Sequence, residues 1–148
     1  MKQKHIDAYM KTAHAFAECS TARRLNVGAI VVKDNRIISI GYNGMPSGWT
    51  NECEYTIQHH ELGTCTEVTK PEVLHAEANA LMKLTQSTES SLDAEMFVTH
   101  VPCIDCAKLI YQAGIKKLTY LNNYEAARGS GLEFLNSSGV EVCHVQKK

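Results

Sequence analysis

His75-Ala76-Glu77 and Pro102-Cys103-Ile104-Asp105-Cys106 are the two segments of this 148-residue chain around which the rest is interpreted. Imidazole nitrogen and thiolate sulfur are ligands that zinc binds in a tetrahedral arrangement. A structural zinc has four protein ligands, whereas a catalytic zinc has three and keeps one position for water. His75, Cys103 and Cys106 supply three ligands, and neither segment offers an obvious fourth. The pattern therefore predicts a catalytic zinc, with Glu77 beside it as acid and base.

Both segments also fit the start of a helix. Pro102 suits a first helical turn, because the proton that it lacks would have no helical partner there. Cys103 and Cys106 are three residues apart and so share one helix face. We expect this helix to cover residues 103–113 and to end at Gly114. Apolar spacing predicts the other helix over residues 74–84.

The remaining elements follow from apolar periodicity and turn residues. The pattern predicts a helix over 6–22, a hairpin of strands 27–32 and 37–42, strands 94–99, 117–121 and 140–145, and a short helix behind a capping box at Ser130. Residues 43–73 are predicted to be a long polar loop. This order predicts an α/β domain spanning residues 1–148, with a mixed sheet covered by helices on both faces.

Composition excludes several classes of function. The net charge of −1 gives no basic excess for nucleic acid binding. No apolar run is long enough to cross a bilayer, and the first residues lead into no signal-like segment. We therefore expect a cytoplasmic protein without a membrane or nucleic acid partner. In that compartment the six cysteines indicate metal ligands or free thiols more than disulfides.

A second, structural zinc is predicted for the long loop. A loop of that length without secondary structure needs an anchor or a function. Cys19, Cys53 and Cys65 lie outside the first motif, and His59 and His60 lie between two of them. Three cysteines with His60, or with His59 in its place, would join the loop to the first helix. The alternative is three free thiols and two exposed histidines.

The joint pattern H-x-E with P-C-x-x-C is the signature of zinc deaminases. From about residue 6 to residue 145 the chain resembles the cytidine deaminase-like zinc-dependent superfamily, and within it the deoxycytidylate (dCMP) deaminases. The segments that carry the resemblance are 27–29, 41–48, 75–80, 98–99 and 106–116. The resemblance implies a three-layer α/β/α fold with a five-stranded mixed sheet. It implies hydrolytic deamination of dCMP to dUMP with release of ammonia, a reaction that feeds dTTP synthesis.

By the same resemblance, the backbone of Ala76 and the region of Val101 hold the edge of the base, with Glu77 as the catalytic proton carrier. Asn43 is expected to bind the sugar. Arg24 is the candidate for the 5′-phosphate, and Arg23 is the competing one.

Three further residues have a pocket or a structural interpretation. Tyr124 either closes the pocket or belongs to the core. We interpret His100 as a structural residue that hydrogen-bonds a neighbouring backbone group. Cys143, in the last predicted strand, is interpreted as a core residue.

The resemblance also implies regulation and assembly. Activation by dCTP and inhibition by dTTP are expected at the glycine-containing segment 41–48, with Mg²⁺ alongside the triphosphate. The candidate effector residues are Tyr42, Gly44, Met45 and Pro46. Homo-oligomers, commonly hexamers, are expected.

Two other classes of function stay open at this point. One is a superfamily deaminase that acts on free cytidine, deoxycytidine or adenosine in tRNA. The other is a zinc-binding scaffold without activity. Glu77 argues against the scaffold, because a purely structural zinc does not need an acid and base beside it.

Overall fold

A computed structural model describes residues 1–146. The chain forms four helices and seven strands within that range: α1 (Gln3–Ala17), β1 (Gly28–Lys33), β2 (Arg36–Tyr42), β3 (Glu54–His59), β4 (Thr64–Thr69), α2 (Ala76–Leu84), β5 (Glu95–His100), α3 (Ile104–Gln112), β6 (Lys117–Asn122), α4 (Leu132–Ser137) and β7 (Glu141–His144). None of the helices in this part of the chain has the length and apolar character needed to cross a membrane.

Five of the strands form one mixed sheet in the order β2-β1-β5-β6-β7. β1 pairs antiparallel with both β2 and β5, whereas β5, β6 and β7 run parallel. The helix α3 connects β5 to β6, as a parallel crossover requires. The predicted mixed sheet of five strands is therefore confirmed.

Helices cover both faces of this sheet, which makes the three predicted layers. On one face α1 packs through Met10 and Ala13 against Ile30, Val32 and Phe97. On the other face, residues of α2, α3 and α4 share a larger core with the inward side chains of β1, β5 and β6. This second layer brings the starts of α2 and α3 together.

The predicted loop over residues 43–73 is wrong in part, because it contains the antiparallel hairpin β3–β4. The polar composition of this segment suggests a loop. Threonines nevertheless alternate in it with Tyr55, Ile57 and Val68, and all of these residue types favour strands. The hairpin forms a separate two-stranded sheet. An isolated pair of strands is marginally stable in water, so contacts with the rest of the domain must hold it.

Three smaller expectations are also corrected. The first helix ends at Ala17, so residues 18–27 form an irregular segment before β1. Ser130 does not close a capping box: Gly131 caps α4, and the Ser130 hydroxyl accepts a bond from the backbone N–H of Leu132 at 3.2 Å. Cys143 is only half-buried in β7, with its thiol 3.5 Å from a carboxylate oxygen of Glu141.

Candidate active site

The two predicted zinc segments occupy equivalent places at the starts of two helices. His75 is the residue that caps α2, and Cys103 is the residue that caps α3. Neither side chain makes a capping hydrogen bond to its own helix. The imidazole and thiol instead point toward each other, where the positive ends of two helix dipoles favour thiolate.

The three predicted ligands lie at the distances that a tetrahedral zinc imposes. Nδ1 of His75 is 3.5 Å from Sγ of Cys103 and 3.4 Å from Sγ of Cys106. Zinc–nitrogen and zinc–sulfur bonds of about 2.05 and 2.3 Å place such a pair about 3.6 Å apart. His75, Cys103 and Cys106 are the group of potential metal ligands in residues 1–146 whose donor atoms all lie within 4.8 Å of one another. This donor set fits zinc and matches the sequence prediction.

The two thiols cannot both ionise easily without a cation between them. Hydrogen bonding to Cys106 and then to His75 lowers the pKa of Cys103 to about 4, whereas hydrogen bonding to Cys103 raises the pKa of Cys106. Hydrogen bonding to the Cys103 thiolate also raises the pKa of His75. A divalent cation removes this conflict, since it favours both thiolates and the neutral imidazole.

Glu77 lies in the first turn of α2, two residues after His75, and only 4% of its surface is exposed. Burial raises the pKa of its carboxyl group. The side chain lines the same cleft as the three ligands. A buried carboxyl group with a raised pKa is suited to accept and deliver a proton, which is the chemistry predicted for it.

A cleft of about 690 Å³ opens above this cluster. That volume lies in the range of small-molecule sites, about 300–1,000 Å³. The predicted residues Arg24, Asn43, Ala76, Val101 and Tyr124 all line it, together with the zinc ligands and Glu77. The structure thus brings into one cleft the residues from distant segments for which the sequence predicts catalytic and substrate-binding roles.

Arg23 and Arg24 differ sharply in their partners. Arg23 is engaged outside the cleft lining by ion pairs with Glu52 at 3.0 Å and Glu67 at 2.8 Å. The Nη1 atom of Arg24 donates to the hydroxyl of Thr69 at 3.0 Å, and no salt bridge in residues 1–146 includes Arg24. Arg24 is therefore the cleft arginine whose charge no carboxylate neutralises.

The side-chain amide of Asn43 holds the cleft wall in place through hydrogen bonds of both its oxygen and its nitrogen. Its Oδ1 accepts from the backbone N–H of Val27 at 2.8 Å, and its Nδ2 donates to the carbonyl of Leu25 at 2.8 Å. One further donor and one further acceptor position of the amide remain for a ligand. The sugar-binding role that we predict for Asn43 is compatible with these bonds.

Tyr124 is not a core residue, since 41% of its surface is exposed where it lines the cleft. Its ring meets the edge of His100 with centroids 6.1 Å apart. His100 also contacts the hydroxyl of Thr99 through Nδ1 at 2.9 Å. Both residues belong to the cleft rim.

The predicted second set of zinc ligands is not assembled in the described chain. Cys53 is buried, and its carbonyl accepts from Lys70, which follows the end of β4. Cys65 is exposed and pairs with Gln58 near the other end of the hairpin, about 16 Å away by strand rise. Hydrogen bonds anchor the segment, and the thiol of Cys53 lies 3.5 Å from the hydroxyl of Thr21.

Within the segment 41–48, Gly41 has a role in the packing of the fold. A Cβ atom on Gly41 would lie 2.3 Å from the carbonyl oxygen of Ala76, so this glycine allows α2 to pack on β2. Gly44 pairs with Leu74, next to His75, and has open space around its Cα. Tyr42 lies under the ammonium group of Lys83, 5.6 Å from its ring centroid.

Several cleft residues have no signal that the sequence analysis used, and four polar ones among them matter most for the chemistry of the cleft. Glu54 and Thr69 come from the unrecognised hairpin, Lys70 directly follows it, and Arg128 comes from the connection after β6. Arg128 pairs with Asp105 at 3.0 Å. Strand periodicity in residues 54–69 is the signal that could have placed the first two at one end of a hairpin.

Comparisons with known proteins agree with this geometry. Residues 3–122 match the family model of the cytidine and deoxycytidylate deaminase zinc-binding region. The chain is 33% identical to the deoxycytidylate deaminase of Enterobacteria phage T4, over 94% of this chain and 89% of that protein. It is 36% identical to ComE operon protein 2 of Bacillus subtilis, over 93% of this chain and 69% of that protein.

The fold is similar to that of a dCMP deaminase from cyanophage S-TIM5, solved in complex with dCMP and dUMP. The TM-score is 0.85 at 47% identity, over 98% of this chain and 99% of that one. On the family match, these relatives and the assembled ligand set, this chain belongs to the cytidine and deoxycytidylate deaminase family of zinc-dependent enzymes.

Proposed function

We propose that this protein deaminates dCMP hydrolytically, with water as the second substrate and dUMP and ammonia as products. The observation that carries the proposal is the zinc ligand set of His75, Cys103 and Cys106 beside the buried Glu77. The same cleft holds Arg24, an arginine that no carboxylate of residues 1–146 neutralises. The relatives named deoxycytidylate deaminase support this choice of substrate. The product would supply dTTP synthesis.

The chain's own residues account for the proton transfers. When bound, zinc lowers the pKa of a water molecule to about 7 and thereby supplies the nucleophile for C4 of cytosine. Glu77 accepts the proton that this water gives up and delivers it to N3 of the base. Glu77 then takes the remaining proton from the hydroxyl group newly bonded to C4 and carries it to the departing amino group. The C4–N bond breaks, C4 becomes a carbonyl carbon, and ammonia leaves as a neutral molecule. Burial of Glu77 and its place in the cleft suit this double role.

The remaining cleft residues orient the nucleotide. We assign the base edge to the backbone of Ala76 and Val101, which are both buried at the cleft floor. Asn43 is assigned to the sugar hydroxyl, through the donor and acceptor positions that Val27 and Leu25 leave unused. Tyr124 covers the outer side of the bound nucleotide.

Arg24 is assigned to the 5′-phosphate, and its replacement tests this assignment. We expect Arg24→Ala to lower kcat/KM for dCMP by roughly 10- to 100-fold, the cost of losing a charge-assisted hydrogen bond. Deoxycytidine, which lacks the phosphate, should be deaminated as slowly as by the unchanged protein. Steady-state kinetics with both substrates measures the difference.

Arg36→Ala is the matched control, because Arg36 is an arginine that pairs with Glu89 at 3.3 Å and does not line the cleft. It should leave the preference for dCMP over deoxycytidine unchanged. An equal loss for both substrates in Arg24→Ala would contradict the phosphate assignment. An unaltered protein that prefers deoxycytidine, cytosine or tRNA would favour another deaminase activity instead.

We also propose that dCTP activates and dTTP inhibits this enzyme at Tyr42, Gly44, Met45 and Pro46, with Mg²⁺ bound to the triphosphate. The backbone pairing of Gly44 with Leu74 supports a route to the active site, because Leu74 is next to His75. Saturation curves for dCMP should shift in opposite directions with the two effectors. Three superimposed curves would remove the effector site.

Assembly, location and the second zinc stay predictions of the sequence. We propose a homo-oligomer, specifically a hexamer, in the cytoplasm. A second zinc on Cys19, Cys53, Cys65 and His60 or His59 would require the hairpin to rearrange, since the described chain holds these residues apart. Metal analysis decides between one and two zinc ions per chain.

A further inference from the structure

We infer that Glu54 is a positioning residue that sets the preference for a phosphorylated substrate by fixing the backbone that carries Arg24. The inference rests on the proposed contact between Arg24 and the 5′-phosphate. It assigns a role in specificity to the β3–β4 hairpin, which is separate from the central sheet and supplies none of the catalytic zinc ligands His75, Cys103 and Cys106.

The carboxylate of Glu54 is the buried charge at the start of β3. Its side chain is 1% exposed, although it belongs to a strand whose next residues are exposed. One oxygen, Oε1, accepts from the backbone N–H of Arg23 at 2.8 Å and from that of Arg24 at 3.2 Å. Nη2 of Arg23 lies 3.9 Å from the other oxygen, Oε2. Oε2 has no hydrogen-bond partner within residues 1–146, so the two amide hydrogen bonds to Oε1 and this ion pair are what offset the cost of burying the carboxylate.

The same end of the hairpin also holds the side chain of Arg24. Thr69 is the residue of β4 that pairs directly with Glu54. Its hydroxyl accepts from Nη1 of Arg24 at 3.0 Å. One pair of facing strand residues therefore binds both the backbone and the guanidinium group of Arg24.

This arrangement matters because Arg24 lies in the irregular segment between α1 and β1, outside any helix or strand. An arginine side chain loses rotamer entropy when it binds, so its affinity for a phosphate depends on how far it is held in place beforehand. Glu54 and Thr69 supply that restraint. Arg23 meanwhile binds Glu52 and Glu67 on the outer side of the hairpin and helps to keep the hairpin against the segment.

The test compares dCMP with deoxycytidine in three single variants. We expect Glu54→Ala to lower the ratio of kcat/KM for dCMP to that for deoxycytidine roughly tenfold, chiefly through KM for dCMP. Glu54→Gln should restore most of the ratio, because its amide oxygen can accept the same two backbone bonds. Glu52→Ala is the matched control: Glu52 also contacts Arg23 but is exposed, so the ratio should not change.

A double variant separates positioning from general damage. If Glu54 acts through Arg24, adding Glu54→Ala to Arg24→Ala should lower the ratio no further than Arg24→Ala alone. An equal loss for both substrates in Glu54→Ala, or a further tenfold fall in the double variant, would overturn the inference. Should Glu54→Ala not fold, Glu54→Asp, whose shorter side chain draws the carboxylate away from both amides, takes its place with the same expectations.

The same variants distinguish an error in the proposed phosphate contact from an error in the positioning role of Glu54. If Arg24→Ala alone leaves the preference for dCMP intact, the phosphate assignment is wrong whatever Glu54 does. If Arg24→Ala removes the preference and Glu54→Ala keeps it, only the positioning role is wrong.

Discussion

Replacement of Glu77 by Gln is expected to lower turnover of dCMP by roughly 10²–10⁴-fold while the chain stays folded and keeps its zinc. Glutamine has nearly the same shape as glutamate, so the buried position in α2 remains filled. It cannot accept and release a proton at neutral pH, however. Both the protonation of N3 and the release of ammonia then lose their proton carrier. Steady-state kinetics on protein of known metal content measures the effect.

Glu133→Gln is the control for this variant. Glu133 lies in the first turn of α4, as Glu77 does in α2, but it is exposed and does not line the cleft. It should turn over dCMP at the unaltered rate. Turnover near that of the unaltered protein in a zinc-loaded Glu77→Gln sample would show that another group moves the protons.

The zinc site could be predicted from the sequence because its ligands are set by local geometry. Cys103 and Cys106 come together on one helical turn, and His75 and Glu77 come together at the start of another. Only the meeting of the two helices is a long-range event. The order of strands and helices leaves few ways for α2 and α3 to lie other than side by side on one face of the sheet.

The β3–β4 hairpin and the role of Glu54 could not be predicted from the sequence in the same way. Glu54 is a charged residue in a polar stretch, and nothing in its neighbourhood indicates that it is buried. Its partners, the backbone amides of Arg23 and Arg24, lie 31 and 30 residues earlier in the chain. The length of the loop indicates that it needs an anchor, and the carboxylate of Glu54 hydrogen-bonded to two amides is one. The second zinc, which the cysteines suggest, stays a prediction.

Sequence and structure give different reasons for the presence of a glycine at position 41. The resemblance placed it in an effector loop, where a glycine lets the backbone approach phosphate. In the structure it is the point at which β2 touches α2. A Cβ atom there would lie 2.3 Å from the carbonyl oxygen of Ala76 and 2.5 Å from the amide nitrogen of Ala80.

We expect Gly41→Ala to destabilise the fold by at least about 1–3 kcal/mol and to reduce both zinc content and turnover sharply. The atoms that the new methyl group meets are backbone, so they can give way only if α2 moves off the sheet. Ala76 lies between His75 and Glu77, so that movement carries one zinc ligand and the proton carrier away from Cys103 and Cys106. Thermal unfolding, metal analysis and kinetics on the folded protein measure the three effects.

Alanine replacements at two other glycines distinguish the effect of displacing α2 from the effect of a less stable fold. Gly28→Ala should be similarly destabilising, because its Cβ would lie 2.0 Å from the carbonyl oxygen of Ala13 in α1. Since α1 holds no zinc ligand, the folded fraction of that variant should keep its zinc. Gly44→Ala meets no atom within 4 Å and should unfold at the unaltered temperature. Full zinc occupancy and unaltered turnover in folded Gly41→Ala would mean that the position of α2 on the sheet does not set the geometry of the active site.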